Sequence, residues 1–436
     1  MFEWVDMCLG EFVELKRGYD LPKKNREQGT VPLVSSSGET DFHSVAKVIG
    51  PGVVTGRYGT IGQVFYIEKD FWPLNTTLYV KDFKGNDPLF VYYFLKTISY
   101  SDYSDKAAVP GINRNHLHKA EVRVPIDPIY QRILAEKLWV LDEKIELNRQ
   151  TNQTLEHIAQ AIFKSWFVDF EPTRAKIAAK QNGQDSDRAA MAAISGKTLE
   201  QLDQLSPEQQ QQLKTTAALF SDALVDSELG EVPEGWRSGS IGDIATAKGG
   251  YAFKGKSFVD TGYPVIKIKN ITGDGRVDLT DAACIDADQA KVSERFKLSD
   301  GDLLMAMTGA TVGKIGLVIV SGQSIYLNQR VAKFESEKFG PKISWFLYCC
   351  FGRESIFDAV VSAAQGSAQP NISSSGIESA KLILPSDDLI EAFCQKADPL
   401  FNKWMSNINE NTILEISRGA LLPKLISGEI HVKKVA

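Results

Sequence analysis

The sequence predicts an α+β protein built twice. Two tandem-duplicated globular regions of short strands are separated by two long α-helices, which pack as an antiparallel coiled coil about a pseudo-two-fold axis. Three observations carry this. From Pro128 to about Asp169, apolar or amide residues recur at alternating spacings of four and three: Leu134, Leu138, Leu141, Ile145, Asn148, Asn152, Leu155, Ala159, Ile162 and Trp166. That is a coiled-coil seam, free of internal proline, on a helix of about 60 Å at ~1.5 Å per residue. The seam returns 259 positions later as Phe393, Ala397, Leu400, Trp404, Asn407, Asn411, Leu414, Arg418, Leu421 and Leu425, with asparagines matching asparagines. The region before the first helix also returns after it. Trp4, Gly10, Lys16 and Gly18-Tyr19 match Trp236, Gly242, Lys248 and Gly250-Tyr251, and Leu74-Asn75 matches Leu327-Asn328.

The elements follow in order. Residues 1–126 form the first globular region, with strand-like runs at 31–34, 52–54, 64–67 and 78–80 and a short helix over 89–98. Residues 127–170 are the first long helix, which Pro172 ends. Residues 171–231 read as a polar, acidic connector with a short helix at 199–205. Its stretch from 181 to 231 has nine acidic and three basic residues, 3 − 9 = −6, which equals the net charge of the chain. The second globular region is 232–386, longer than the first mostly between Asn270 and Gly301, and the second long helix is 387–430. Antiparallel pairing with partners summing to 559 sets Asn148 against Asn411, Asn152 against Asn407, and Arg418 against Leu141, the last a weak point. Asparagines at seam positions fix register at some cost in stability.

At 436 residues, two or three domains are expected. No run of 18 apolar residues exists, so no membrane span is expected, and no basic-then-apolar leader opens the chain. Five cysteines without CxxC pairing fit a reduced, cytoplasmic setting with no zinc site and no disulfide framework.

Two recurrent loops are the candidate sites. The run Thr55 to Gly62, matched by Thr308 to Gly316, lacks the spacing of a dinucleotide fingerprint and is followed by a strand. It is either a structural hairpin or a loop that offers Arg57, Tyr58 and Thr60, and in the second copy Lys314, to a ligand. Gln329 and Arg330, which follow Leu327-Asn328, are further candidates in the second copy. The other loop is Asn113-Arg114-Asn115-His116, with Gln365 to Asn371 in the second copy, including Gln369 and Asn371. Amides and arginine are the groups that read base edges, and they are equally at home in turns. Catalytic constellations are missing: there is no [DN]-P-P-[FY], no GK[ST] loop and no HExxH helix. The five histidines are scattered and read as surface residues rather than ligands.

Three stretches together resemble the specificity subunit of Type I restriction–modification systems: Ile162 to Phe170, Asp226 to Trp236, and Leu421 to Ile430, supported by Gln369-Pro370-Asn371-Ile372 and the duplicated layout. The resemblance implies that each globular region is a target-recognition domain reading one half of a split double-stranded DNA sequence. It also implies that the helices hold the regions a fixed distance apart and dock two modification subunits. Those partners would bind S-adenosylmethionine and methylate adenine. Restriction or motor subunits using ATP and Mg would complete the assembly, and this chain would hold no cofactor and do no chemistry alone. Two rivals are a non-catalytic coiled-coil scaffold, which needs only the helices, and a self-contained methyltransferase-endonuclease, which needs the missing motifs.

Overall fold

The computed structural model describes residues 3–103, 111–227, 230–362 and 371–432. It divides into two compact units, Met1–Leu147 with Asn411–Ala436, and Asn148–Glu410. Both long helices are present, Pro128–Phe167 and Asp387–Ile426, each of 40 residues, and the unit boundary falls within each of them. The first starts on Asp127, whose carboxylate accepts the Ile129 N–H at 2.9 Å, with proline at the first helical position. It ends where Phe170 takes a left-handed conformation, φ 53°. The second opens on two carboxylates, Asp387 and Asp388, favourable beside the positive end of a helix. It stops four residues before the expected 430, where Gly428 turns left-handed at φ 78°.

The first unit carries a four-stranded antiparallel sheet in the order Glu14–Arg17, Thr77–Asp82, Gly52–Gly56, Val64–Ile67. A three-stranded sheet sets Gly38–His43 beside Val31–Ser35 and that strand parallel to Trp72–Pro73. The short helix is Pro88–Lys96. Its buried face joins Leu9, Phe12, Leu15 and Val53 in a core that also takes Tyr130, Leu134, Ala135 and Leu138 from the first long helix and Leu425 and Ile426 from the second. Trp4, Ile430 and Val432 pack on the same core. The C-terminal segment therefore completes the first globular region, a pairing of distant segments that no local pattern announces. Within this unit the helices run antiparallel: Asn411 donates to the Ile145 carbonyl at 3.2 Å, and Arg418 binds Asp142. Arg418 thus meets a carboxylate one position beyond the Leu141 that the sequence set against it. Tyr93 donates to the other oxygen of Asp142 at 2.6 Å.

The second unit repeats the plan. Its five-stranded sheet runs Thr246–Gly249, Val331–Glu335, Leu303–Ala306, Ile315–Leu317, Gly275–Arg276. Tyr263–Ile266 lies parallel to Tyr326–Leu327. The extra length after Asn270 supplies the strands Gly275–Arg276 and Ala283–Ile285 and the helix Ala287–Val292. The helices again run antiparallel: Asn407 donates to Asn152 Oδ1 at 2.8 Å, Asn152 donates to the Trp404 carbonyl at 3.1 Å, and Phe163 meets Phe393 with ring centroids 5.5 Å apart. Asn152 opposite Asn407 is the pairing expected from the seam. Asn148 is buried here too and donates to Glu410 at 2.9 Å.

Residues 171–231 differ most from expectation. Their described residues fold into four helices, Glu171–Gln181, Ser186–Ser195, Leu199–Asp203 and Pro207–Ala218, and an antiparallel pair of strands, Leu224–Ser227 with Gly230–Pro233. Three of the helices start on a capping side chain, Asp185, Thr198 or Ser206. Ala190, Met191, Ile194, Leu202, Ala217 and Phe220 are buried in the same core as Trp166 and Phe393. Even Lys176, 6% exposed, is held, by the Phe220 carbonyl at 3.0 Å and Asp187 at 2.9 Å. The segment is a packed helical layer of the second unit, and the short helix expected at 199–205 is present as Leu199–Asp203.

The repeated glycine of the Gly-Tyr pair has one cause in both units. A Cβ on Gly18 would lie 2.2 Å from the Leu74 carbonyl oxygen, and one on Gly250 would lie 2.1 Å from that of Leu327. The following tyrosine bridges to that segment in parallel, Tyr19 to Leu74 and Tyr251 to Asn328. Alanine at either position must push backbone apart. The loss should exceed the ~1 kcal/mol that a Gly-to-Ala change can return by stiffening the unfolded chain. Equal urea midpoints for wild type, G18A and G250A would contradict this.

Candidate nucleic-acid interface

In the first unit the two recurrent loops, well separated in the chain, form one surface. Tyr58 pairs with Gly111 in an isolated antiparallel bridge, and Ile112 N–H donates to the Arg57 carbonyl at 3.1 Å. Arg57 and Tyr58 N–H both donate to the Thr76 carbonyl, at 2.9 and 3.2 Å. The glycines fit the sheet end: a Cβ on Gly56 would meet the Thr60 carbonyl at 1.9 Å, and Gly59 and Gly62 are left-handed at φ 80°. Gly111 lies against the Tyr58 ring. The Arg57 guanidinium sits 4.3 Å from the Tyr58 ring centroid, with Nη2 3.3 Å from the phenol oxygen. That stack holds a planar, five-donor cation over an exposed aromatic ring, an arrangement suited to base edges and phosphates.

Asn113 has another task. Its side chain accepts the Asn115 N–H and caps the helix Arg114–Leu117. Arg114 and Asn115 lie in the first turn of that helix and, like Thr60, are exposed. The expectation that all histidines lie at the surface is corrected. His43 is buried and accepts from Glu27 N–H at 3.0 Å. His118 Nε2 accepts from Leu15 N–H at 2.9 Å, and burial, with Arg114 second, pushes its pKa below the ordinary histidine value.

The second unit has the same framework with other side chains. Thr308 bridges to Asn371, Ile372 N–H donates to the Met307 carbonyl at 2.9 Å, and Met307 N–H to the Arg330 carbonyl at 3.0 Å. Lys314, Gln329, Arg330 and Asn371 are exposed. Lys314 Nζ donates to the Thr272 carbonyl at 3.1 Å. Ser373 takes the capping place of Asn113, and Glu378 Oε1 accepts the Ala247 N–H at 2.7 Å, the service His118 performs in the first unit. Asn371 thus stands where the first unit has Gly111. Gln369 lies outside the described residues.

Sequence reasoning missed the neighbours that fold beside the first site. Ser36 lies 3.3 Å from a Cβ placed on Gly56 and 3.2 Å from one on Gly59. Beyond it a cleft of about 430 Å³ is lined by Lys23, Arg26, Thr40, Asn75 and Thr76. There Arg26 binds Asp41 at 2.7 Å and Asn75 donates to Asp20 at 2.7 Å. The Arg26 hydrogen bond holds the Asp41 carboxyl below the usual range. Only the pairing of Leu74-Asn75 with Leu327-Asn328 in the repeat hinted at this place.

Comparison with known proteins agrees with the duplicated plan. The family model described as Type I restriction modification DNA specificity domain matches residues 1–157 and again 233–398. The HindI specificity subunit of Haemophilus influenzae is 30% identical over 393 residues, covering 85% of this chain and 84% of that one. The MjaIX specificity subunit of Methanocaldococcus jannaschii is 24% identical over 358 residues, 79% of this chain and 70% of that one. The fold resembles the crystal structure of the Type I system S subunit from M. genitalium, with a TM-score of 0.59 at 15% identity over 98% of this chain and 96% of that one. Among the described residues no helix is long and apolar enough to cross a membrane. With one specificity domain on each side of the first long helix, the chain belongs to the Type I restriction–modification specificity family, as a specificity subunit with two target-recognition domains.

Proposed function

We propose that each recognition domain reads one half of a bipartite duplex sequence through the loop surface that joins its two recurrent segments. The observation that carries this is the repeated bridge, Tyr58 to Gly111 and Thr308 to Asn371. One framework presents Arg57, Tyr58 and Arg114 in one copy and Lys314, Gln329 and Arg330 in the other. Shared scaffolding with unlike exposed side chains suits two readings of different sequence.

The partners in this proposal are two modification subunits, which use S-adenosylmethionine to methylate adenine, and restriction or motor subunits, which use ATP and Mg. Those cofactors belong to the partners, and this chain contributes base selection and position. Exposed apolar residues on the helices within the first unit, Ile129, Val140, Ile413 and Ile416, favour a docking role there.

The test maps methylated adenines across a genome with and without the chain. A split motif present only with the chain is the expected result. Arg57→Ala with Arg114→Ala should relax one half of the motif, and Gln329→Ala with Arg330→Ala the other. Each lost bidentate base contact removes ~1–3 kcal/mol of discrimination. A motif untouched by either pair would place the reading surface elsewhere.

A further inference from the structure

The second recognition domain carries a cationic turn that the first lacks. After the strand Tyr263–Ile266 the chain makes a tight turn, Lys267 to Asn270. Asn270, 3% exposed, fixes it from below: its Oδ1 accepts the Lys267 N–H at 2.9 Å, and its Nδ2 donates to the Asp278 carbonyl at 2.8 Å. The turn lies directly against the loop that leads to Lys314. Thr311 Oγ1 donates to the Ile268 carbonyl at 3.4 Å, and a Cβ on Gly309 would touch Ile268 Cδ1 at 3.4 Å.

Its cations lack counter-charges. Among the described residues neither Lys267, Lys269 nor Lys314 forms an ion pair. Asp274, the carboxylate of the adjoining turn, is engaged by Arg276 at 3.3 Å and Thr272 at 2.5 Å. Lys269 is exposed. The Lys267 ammonium rests 3.4 Å from the centroid of the Phe258 ring, and burial, followed by repulsion from Lys269, lowers its pKa. Two ammonium groups without ion pairs, on a turn fixed by a buried amide and packed against the loop that leads to Lys314, make a preformed place for an anion.

In the first domain the strand Val31–Ser35 lies parallel to Trp72–Pro73, as Tyr263–Ile266 lies parallel to Tyr326–Leu327. That strand leads into the turn Ser35-Ser36-Ser37-Gly38, closed by its own hydroxyls. The position is the same, and the turn itself carries no charged residue.

We propose that the Lys267–Asn270 turn, with Lys314, binds the phosphodiester backbone of duplex DNA in the second domain only. This rests on the DNA-reading role proposed for both domains and adds a site to it. The two half-sites are then held differently: the second draws more of its affinity from counterion release, the first from its Arg57–Tyr58 stack and hydroxyls.

The test uses the full chain and a short random-sequence duplex pool, with fluorescence polarisation read across a KCl series. Lys269→Gln should lower the slope of log K against log salt by about 0.9, the release expected for one phosphate contact on B-form duplex. Lys267→Gln with Lys269→Gln should lower it by about twice that. Lys269→Arg should restore the slope, which a purely structural role for the side chain would not predict. Unchanged slopes for Lys269→Gln and the double variant, while Arg57→Ala with Arg114→Ala still weakens binding, would overturn the turn's role and leave the DNA-reading role standing. A wild-type chain that binds no duplex at any salt would remove both.

Discussion

Trp166→Ala should destabilise the second unit by ~3–5 kcal/mol, the range for removing a large buried aromatic side chain. Trp166 is among the largest fully buried side chains. Its ring centroid lies 5.2 Å from that of Phe220, edge to face, 6.1 Å from Phe167 and 6.2 Å from Phe393. These rings come from the first helix, the second helix and the helical layer of residues 171–231, so one truncation opens a cavity where three elements meet. Edge-to-face pairs add ~0.5–1.5 kcal/mol beyond area burial, which places the expected loss toward the upper end. Urea unfolding followed by far-UV circular dichroism measures it. A loss under ~1 kcal/mol would mean that the layer can collapse into the space.

The second large effect concerns Asp142 and Arg418. Their ion pair is only partly exposed, with side-chain accessibilities of 18% for the acid and 32% for the arginine, and Tyr93 donates to the same carboxylate. Arg418→Met leaves that carboxylate half-buried without its cation and should cost ~3 kcal/mol, at the low end of the range for breaking a buried pair. Asp142→Asn with Arg418→Met keeps an acceptor for Tyr93 and removes the unpaired charge, so it should cost less than the two single changes together. The expected coupling is ~1–3 kcal/mol. Strictly additive losses in the urea midpoints would show that the two groups are not partners in solution.

What was legible in the sequence was whatever repeats over short range. The alternating four-and-three spacing located both long helices within a few residues, and the matched asparagines set Asn152 against Asn407, as observed. Strands such as Val31–Ser35 and Gly52–Gly56 were visible because they are apolar runs bounded by turn residues. The packed layer at 171–231 was not. Its buried side chains, Met191, Ile194, Leu202 and Phe220 among them, are spread thinly among glutamine and acid, and each helix offers the core one narrow edge. Low mean hydropathy hid a real interface. At the candidate interface, Arg57 and Arg114 were legible as residue types but the joining of their loops was not, because it depends on the pairing of Tyr58 with Gly111 and of Ile112 with Arg57. Asn113 misled for a physical reason: the amide that suits an adenine edge also suits a helix N-terminus, and here it caps.

The division of the chain also sets an order of events during synthesis. The second unit is one continuous stretch, Asn148–Glu410, whereas the first needs residues from both sides of it. Leu425 and Ile426 fill a core whose other buried members lie before residue 139. As the chain leaves the ribosome, the earlier domain must wait with part of its apolar surface uncovered while the whole of the later one is made. The later domain can close first, so the usual N-to-C order of domain folding is reversed. A released chain ending at Glu410 should hold a protease-resistant second unit and a first unit still open to cleavage.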